Sequence, residues 1–161
     1  MYSQGDGVQQ DYDEAAKWYR RAAEQGHANA QFNLGFMYRQ GQGVTQDYSE
    51  AIKWLRRAAE QGDAAVQFGI GAMYSQGEGV RQDYAEAVKW YRRAAEQGSP
   101  QGQLALGLMY DLGRGVTQDY VQAHMWLNLG ASGFSGRVQK DHAELRDSIA
   151  ANMTVAQIAE A

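Results

Sequence analysis

Three histidines, the helix-start carboxylates and a set of Gly-x-Gly loops are the residues of this chain whose types could do chemistry. A general base or a zinc ligand would have to come from His27, His124 or His142 or from the acidic side chains. The spacing supports neither. No His-Glu-x-x-His is present, no Ser-x-x-Lys offers an acylating serine, and no Gly-x-Ser-x-Gly elbow occurs. His124 stands where aligned helices have Ile52 and Val88, and His142 falls on an apolar stripe, so both are expected to pack rather than to catalyse. The loops Gly41-Gln42-Gly43-Val44, Gly77-Glu78-Gly79-Val80 and Gly113-Arg114-Gly115-Val116 resemble phosphate cradles only superficially, because none continues as Gly-x-Gly-x-x-Gly after a strand. With no cysteine in the chain, disulfides, thiolate metal sites and cysteine nucleophiles are excluded. The residues thus assign no catalytic, metal or cofactor site, and the expectation is a protein that is not an enzyme.

What positions these residues is a repeat. Trp18, Trp54, Trp90 and Trp126 recur at a step of 36, as do Tyr2, Tyr38, Tyr74 and Tyr110. A constant step of this length makes each copy one supersecondary unit that buries its apolar face by stacking on a neighbour, which gives a solenoid. The organising stretch is Asp47 to Gly62, repeated almost unchanged at Asp83 to Gly98, earlier at Asp11 to Gly26 and in degraded form from Asp119. Each copy reads as a B helix. Asp11, Asp47 and Asp83 are followed three residues on by Glu14, Glu50 and Glu86, the spacing of a capping box, and Asp119 with Gln122 keeps it. Gly26, Gly62 and Gly98 are placed to end these helices in the left-handed conformation. The tryptophans are expected to be core wedges, and Glu60 and Glu96 are placed to pair with Arg56 and Arg92 on a solvated outer face.

The A helices run roughly over 27–40, 63–76 and 99–112, with Gln31/Gln67/Gln103, Leu34/Ile70/Leu106, Gly35/Gly71/Gly107 and Tyr38/Tyr74/Tyr110 on the packing side. Met1 to Gln10 read as a helix tail and a Gly5-Asp6-Gly7-Val8 loop, so the first unit lacks its partner helix, and the expectation is a longer array upstream. In the last B helix Met125 and Leu129 replace Lys53 and Arg57. A helix over about 137–151, with Val138, His142, Leu145 and Ile149 on one stripe, is expected to cover that face as a C-terminal cap. A further start, Thr154 to Gln157, has capping-box spacing. The organisation is therefore an array over 1–133 (a partial unit 1–26, full units 27–62, 63–98 and 99–133) followed by capping helices over 134–161.

Leu34-Gly35, Tyr38, Gly41-x-Gly43-Val44, Asp47, Ala51, Trp54, Ala58-Ala59 and Gly62 together resemble the Sel-one-like repeat, a tetratricopeptide-related unit of bacteria and eukaryotes. Met153 to Ala159 resembles the run that opens the last helix of bacterial members. The resemblance implies an all-α fold, a right-handed α/α superhelix of antiparallel helix pairs, with A helices lining the inner surface and B helices outside. It also implies a scaffold or adaptor role. Some cysteine-rich members bind β-lactams, which gives β-lactam binding or a hydrolase-like activity as the alternative, although their disulfide cysteines are missing here. A structural spacer within a longer array is a third reading.

On the A helices, the positions that differ between units are Asn29/Ala65/Gln101, Asn33/Gly69/Ala105, Phe36/Ala72/Leu108 and Gln40/Gln76/Leu112, spaced i, i+4, i+7 and i+11 on the side opposite the packing residues. These twelve form the expected concave binding face, fitted to a protein or peptide segment. Ala65, Gly69 and Ala72 would open a pocket, Phe36 and Leu108 would wall it, and Asn29, Asn33 and Gln101 could hydrogen-bond a peptide backbone. A net charge of -4 gives no basic footprint for nucleic acid. No run of 18 apolar residues suggests membrane insertion. End-to-end self-association through the open first B helix is a further expectation. The compartment, cytoplasmic or, if an upstream signal peptide was removed, periplasmic or secreted, is not fixed by these residues.

Overall fold

The computed structural model describes residues 12–134, 136–151 and 153, with the side chains of residues 136–139, 141 and 142 outside that description. The expected tail and loop over 1–10, the Asp11 cap, the start at Thr154 and the side chains of Val138 and His142 lie outside the described residues. Among the described residues every regular element is a helix. The chain divides into two compact units, residues 1–58 and 59–161.

The first unit holds α1 (Tyr12–Glu24), α2 (Ala28–Gln40) and most of α3 (Tyr48–Glu60). Ala23, Ala30, Leu34 and Trp54 form its buried cluster. Gly35 lies against α3 so closely that a Cβ there would sit 2.6 Å from Leu55 Cγ and 3.0 Å from the Ala51 carbonyl. That is why the A helix carries glycine where a helix interior otherwise disfavours it by about 1 kcal/mol. The loop from α2 to α3 has Gly41 and Gly43 at positive φ, and a Cβ on Gly43 would run into the carbonyl of Tyr12. The second glycine of the motif is therefore a packing device, not an anion cradle.

The second unit holds α4 (Ala64–Gln76), α5 (Tyr84–Glu96), α6 (Pro100–Leu112), α7 (Tyr120–Ser132) and α8 (Gly136–Ala150). Ala87, Val88, Tyr91, Ala95, Leu106 and Met109 make one core cluster, and Leu104, Ala123, Leu127 and Ile149 a second. The glycine contact recurs. A Cβ on Gly71 would meet the Tyr91 ring at 2.6 Å, and one on Gly107 would meet Leu127 Cγ at 2.7 Å.

The capping expectation is half right. Asp47 Oδ1 accepts from the amides of Ser49 and Glu50, Asp83 from Glu86 and Asp119 from Gln122. The reciprocal half is replaced, because the Asp47, Asp83 and Asp119 amides already donate to the Tyr38, Tyr74 and Tyr110 carbonyls at the ends of the A helices. Glu50 is freed to accept from Lys53 at 2.8 Å and from the Trp54 indole at 3.1 Å, and Glu86 accepts from Lys89 at 2.6 Å.

Three aligned glutamines, Gln31 and Gln67 buried and Gln103 half-buried, have a role the repeat pattern did not disclose. Gln31, Gln67 and Gln103 donate to the Ala23, Ala59 and Ala95 carbonyls at 3.1, 3.0 and 3.2 Å. Each adds a side-chain donor to a carbonyl at the end of the preceding B helix that also accepts from the Gly26, Gly62 or Gly98 amide.

The cap over α7 also differs from expectation. α8 packs through Ile149 and Leu145 onto the cluster of Leu104, Ala123 and Leu127. Met125 is half-buried and Leu129 stays 45% exposed, so much of the face that is charged elsewhere remains open.

Candidate functional site

The twelve positions of the expected binding face all reach solvent. Asn29, Phe36 and Gln40 of α2, Ala65, Gly69 and Gln76 of α4, and Gln101 and Leu112 of α6 are exposed, while Asn33, Ala72, Ala105 and Leu108 are half-buried. The residues between them, Gln31, Leu34 and Gly35 on α2, Gln67, Ile70 and Gly71 on α4, and Leu106 and Gly107 on α6, are buried. Each helix is thus split into a packed side and an open side by its 3.6-residue period.

In the second unit α4 and α6 touch, which brings eight of the twelve positions onto adjoining helices. Ala105 and Leu108 also pack against the two core clusters, so they serve the fold as well as the surface. The other four positions lie along α2 in the first unit. None of the twelve side chains is charged, in a chain with 34 charged residues.

Gly69 differs from the other glycines inside these helices. A Cβ at Gly35, Gly71, Gly102, Gly107 or Gly130 would come within 3.0 Å of a packed neighbour, whereas a Cβ at Gly69 would meet nothing within 4 Å. The fold gives no packing reason for glycine there.

One aromatic was missed. Phe32 is exposed and stacks on Phe36 with ring centroids 6.3 Å apart and planes at 22°. Its counterpart Phe68 packs on Tyr91 at 5.7 Å, and Leu104 is buried, so the aligned column reads as core. The i, i+4 phenylalanine pair was the available signal.

The outer face is more tied down than a solvated ridge. Arg57 lies over Trp54 at 4.8 Å, Arg93 over Trp90 at 4.7 Å and Arg21 over Trp18 at 5.2 Å. Arg20 and Arg92 donate to the hydroxyls of Tyr38 and Tyr110 at 2.6 and 2.7 Å. A depression of about 400 Å³ on this face, lined by Lys89, Arg92, Arg93 and Glu96, therefore has its cations engaged. Another of about 600 Å³ lies by the loop between α4 and α5, lined by Tyr74, Arg81 and Asp83. Neither coincides with the A-helix face.

His124 is half-buried, and its Nδ1 has no hydrogen-bond partner among the described residues. Among the described residues no group of three or more His, Cys, Asp or Glu side chains converges to hold a metal, and no helix is long and apolar enough to cross a membrane.

Comparison with known proteins agrees with this architecture. The Sel1 repeat model matches residues 1–27, 28–63, 64–99 and 100–133. No curated protein sequence matches. Among solved structures, a protective antigen of uropathogenic Escherichia coli with an SLR fold is similar at 45% identity and TM-score 0.69, over 73% of this chain and 25% of that one. A Sel1 repeat protein from Oxalobacter formigenes is similar at 42% identity and TM-score 0.77, over 86% and 57%. The chain thus spans a quarter of the first and little more than half of the second. Cysteine-rich protein B of Helicobacter pylori shares the fold at 22% identity and TM-score 0.59. The tryptophan step, the Gly-x-Gly loops and the paired helices, together with four consecutive matches over residues 1–133, place this chain in the Sel1 repeat family.

Proposed function

We propose that the protein is a non-catalytic interaction scaffold that holds an uncharged peptide segment along the open sides of α4 and α6. Sel1 repeat proteins are generally protein-interaction scaffolds. The observation that carries the finer reading is Gly69. Glycine inside a helix costs about 1 kcal/mol relative to alanine, and at this position no neighbour among the described residues requires it. A ligand backbone running close over α4 would supply the reason.

The surroundings fit such a ligand. Ala65 and Ala72 keep the approach low on α4, Leu108 and Leu112 offer apolar contact on α6, and Gln76 and Gln101 can donate to and accept from peptide groups. Within the first unit, considered by itself, the stacked Phe32 and Phe36 of α2 give an apolar patch flanked by Asn29, Asn33 and Gln40. With no charge on the face, affinity should depend little on ionic strength.

The test is to select peptides against the intact chain from a displayed library and titrate one binder calorimetrically into wild type, Gly69→Ala and Gly69→Arg. Gly69→Ala should raise the stability by about 0.5–1 kcal/mol and weaken binding at least tenfold. A stabilised Gly69→Ala that binds as tightly as wild type, with Gly69→Arg also unaffected, would remove the basis for this site.

A further inference from the structure

The arginines on the outer side of α5 are held in place without being neutralised. Arg92 donates to the Tyr110 hydroxyl at 2.7 Å, not to Glu96 four residues on, and lies 6.0 Å from the centre of the same ring. Arg93 lies over the Trp90 indole at 4.7 Å. Both partners are uncharged, and among the described residues neither guanidinium forms an ion pair. Lys89 differs, because Glu86 meets its charge at 2.6 Å. A guanidinium carries five N–H donors on a planar fork, and a ring face or one hydroxyl leaves most of them available.

Arg92 and Arg93 line the depression of about 400 Å³ together with Ala85, Val88 and Gly115. That volume lies within the range of about 300–1,000 Å³ common for ligand sites. Gly115 keeps its wall low, because it sits at positive φ and a Cβ there would strike the Tyr84 carbonyl. The lining carries three cations and one carboxylate, in a chain whose net charge is -4. Arg114, next to Gly115 in the chain, adds a further cation where the aligned loops have Gln42 and Glu78. The frame does not require these charges, since α7 has Met125, Asn128 and Leu129 at the positions of Lys89, Arg92 and Arg93.

We infer that this depression binds an acidic peptide segment, with Arg92 and Arg93 each offering a fork to a carboxylate and Ala85 and Val88 offering apolar contact to its methylenes. Charge complementarity selects this ligand. The fork matches a carboxylate with two parallel bonds, while a long polyanion would meet the negative charge of the rest of the chain. The site is on a B helix and stands independently of the proposed face on α4 and α6. Its affinity should fall with salt, where binding at that uncharged face should not.

The test titrates the full chain into a fluorescein-labelled Glu-Glu-Glu-Glu peptide and its Gln-Gln-Gln-Gln counterpart, read by anisotropy at low salt. The acidic peptide should saturate, and combining Arg92→Gln with Arg93→Gln should weaken it about tenfold. Glu96→Gln leaves both arginine contacts intact and should tighten binding about threefold, so the inference does not rest on a variant that might misfold. Arg81→Gln removes a cation of the same unit outside the depression and should leave the affinity unchanged. No saturable binding at about millimolar protein, equal binding of the glutamine peptide, no gain in Glu96→Gln, or an equal loss in Arg81→Gln would overturn the inference. So would displacement of the peptide by a single-stranded oligonucleotide at lower concentration, which would make a polyanion the occupant.

Discussion

α1 and α5 share eleven of thirteen residues, read from their aligned sequences, yet one leaves its tryptophan in solvent and the other buries it. The same string of side chains is therefore a surface in one place and a core in another. The difference teaches that a repeat helix carries both faces of an interface in its sequence, while burial belongs to the neighbour that meets it.

The largest way to sharpen that contrast is truncation of the indoles. Trp90→Ala should cost about 3–5 kcal/mol, whereas Trp18→Ala should change stability by no more than about 0.5 kcal/mol. Urea denaturation followed by circular dichroism measures both. Equal costs would mean that α1 is covered in solution.

A smaller effect separates the two glycines of α4. Gly71→Ala must displace the Tyr91 ring and should cost about 1–3 kcal/mol, opposite in sign to the gain expected for Gly69→Ala. Thermal melts of the pair decide whether packing or helix propensity governs each position. If both variants were stabilised, the close A–B contact would not be a constraint in solution.

The smallest effect is alkaline. Burial pushes the Tyr91 phenol above its ordinary value, against a hydrogen bond with Ser75 that works the other way. The folded state then holds this proton more tightly than the unfolded chain does. Its contribution is present below pH about 10 and is lost as pH rises past that value through the raised folded pKa. Tyr91→Phe should move the alkaline unfolding midpoint upward; an unchanged midpoint would assign the loss to other groups.

Much of this was legible in the chain because the repeat compares it with itself. The 36-residue step fixed the helix boundaries, Asp83 and Asp119 marked helix starts, and Gly62 and Gly98 marked helix ends, since these depend on local backbone geometry. The stripe of variable positions on α4 and α6 was also legible, because periodicity alone separates the side that packs from the side that does not. What was not legible depended on partners distant in sequence. Glu50 and Glu86 are at capping-box spacing but serve Lys53, Trp54 and Lys89, because the amides they would have capped are taken by Tyr38 and Tyr74. Phe32, which no sequence pattern singled out, is exposed, whereas its aligned counterparts Phe68 and Leu104 are half-buried and buried.

The sequence by itself determined that this protein is a stack of helix pairs, because hydrophobic period, caps and terminating glycines are written within each 36-residue unit. Only the tertiary structure decided which of those identical elements are buried. It placed Trp90 inside and Trp18 outside, gave Gly71 a packing reason and Gly69 none, and sent α8 to Leu127 rather than over Leu129. The reason is physical: propensity and period are properties of a segment, whereas desolvation is a property of two surfaces in contact.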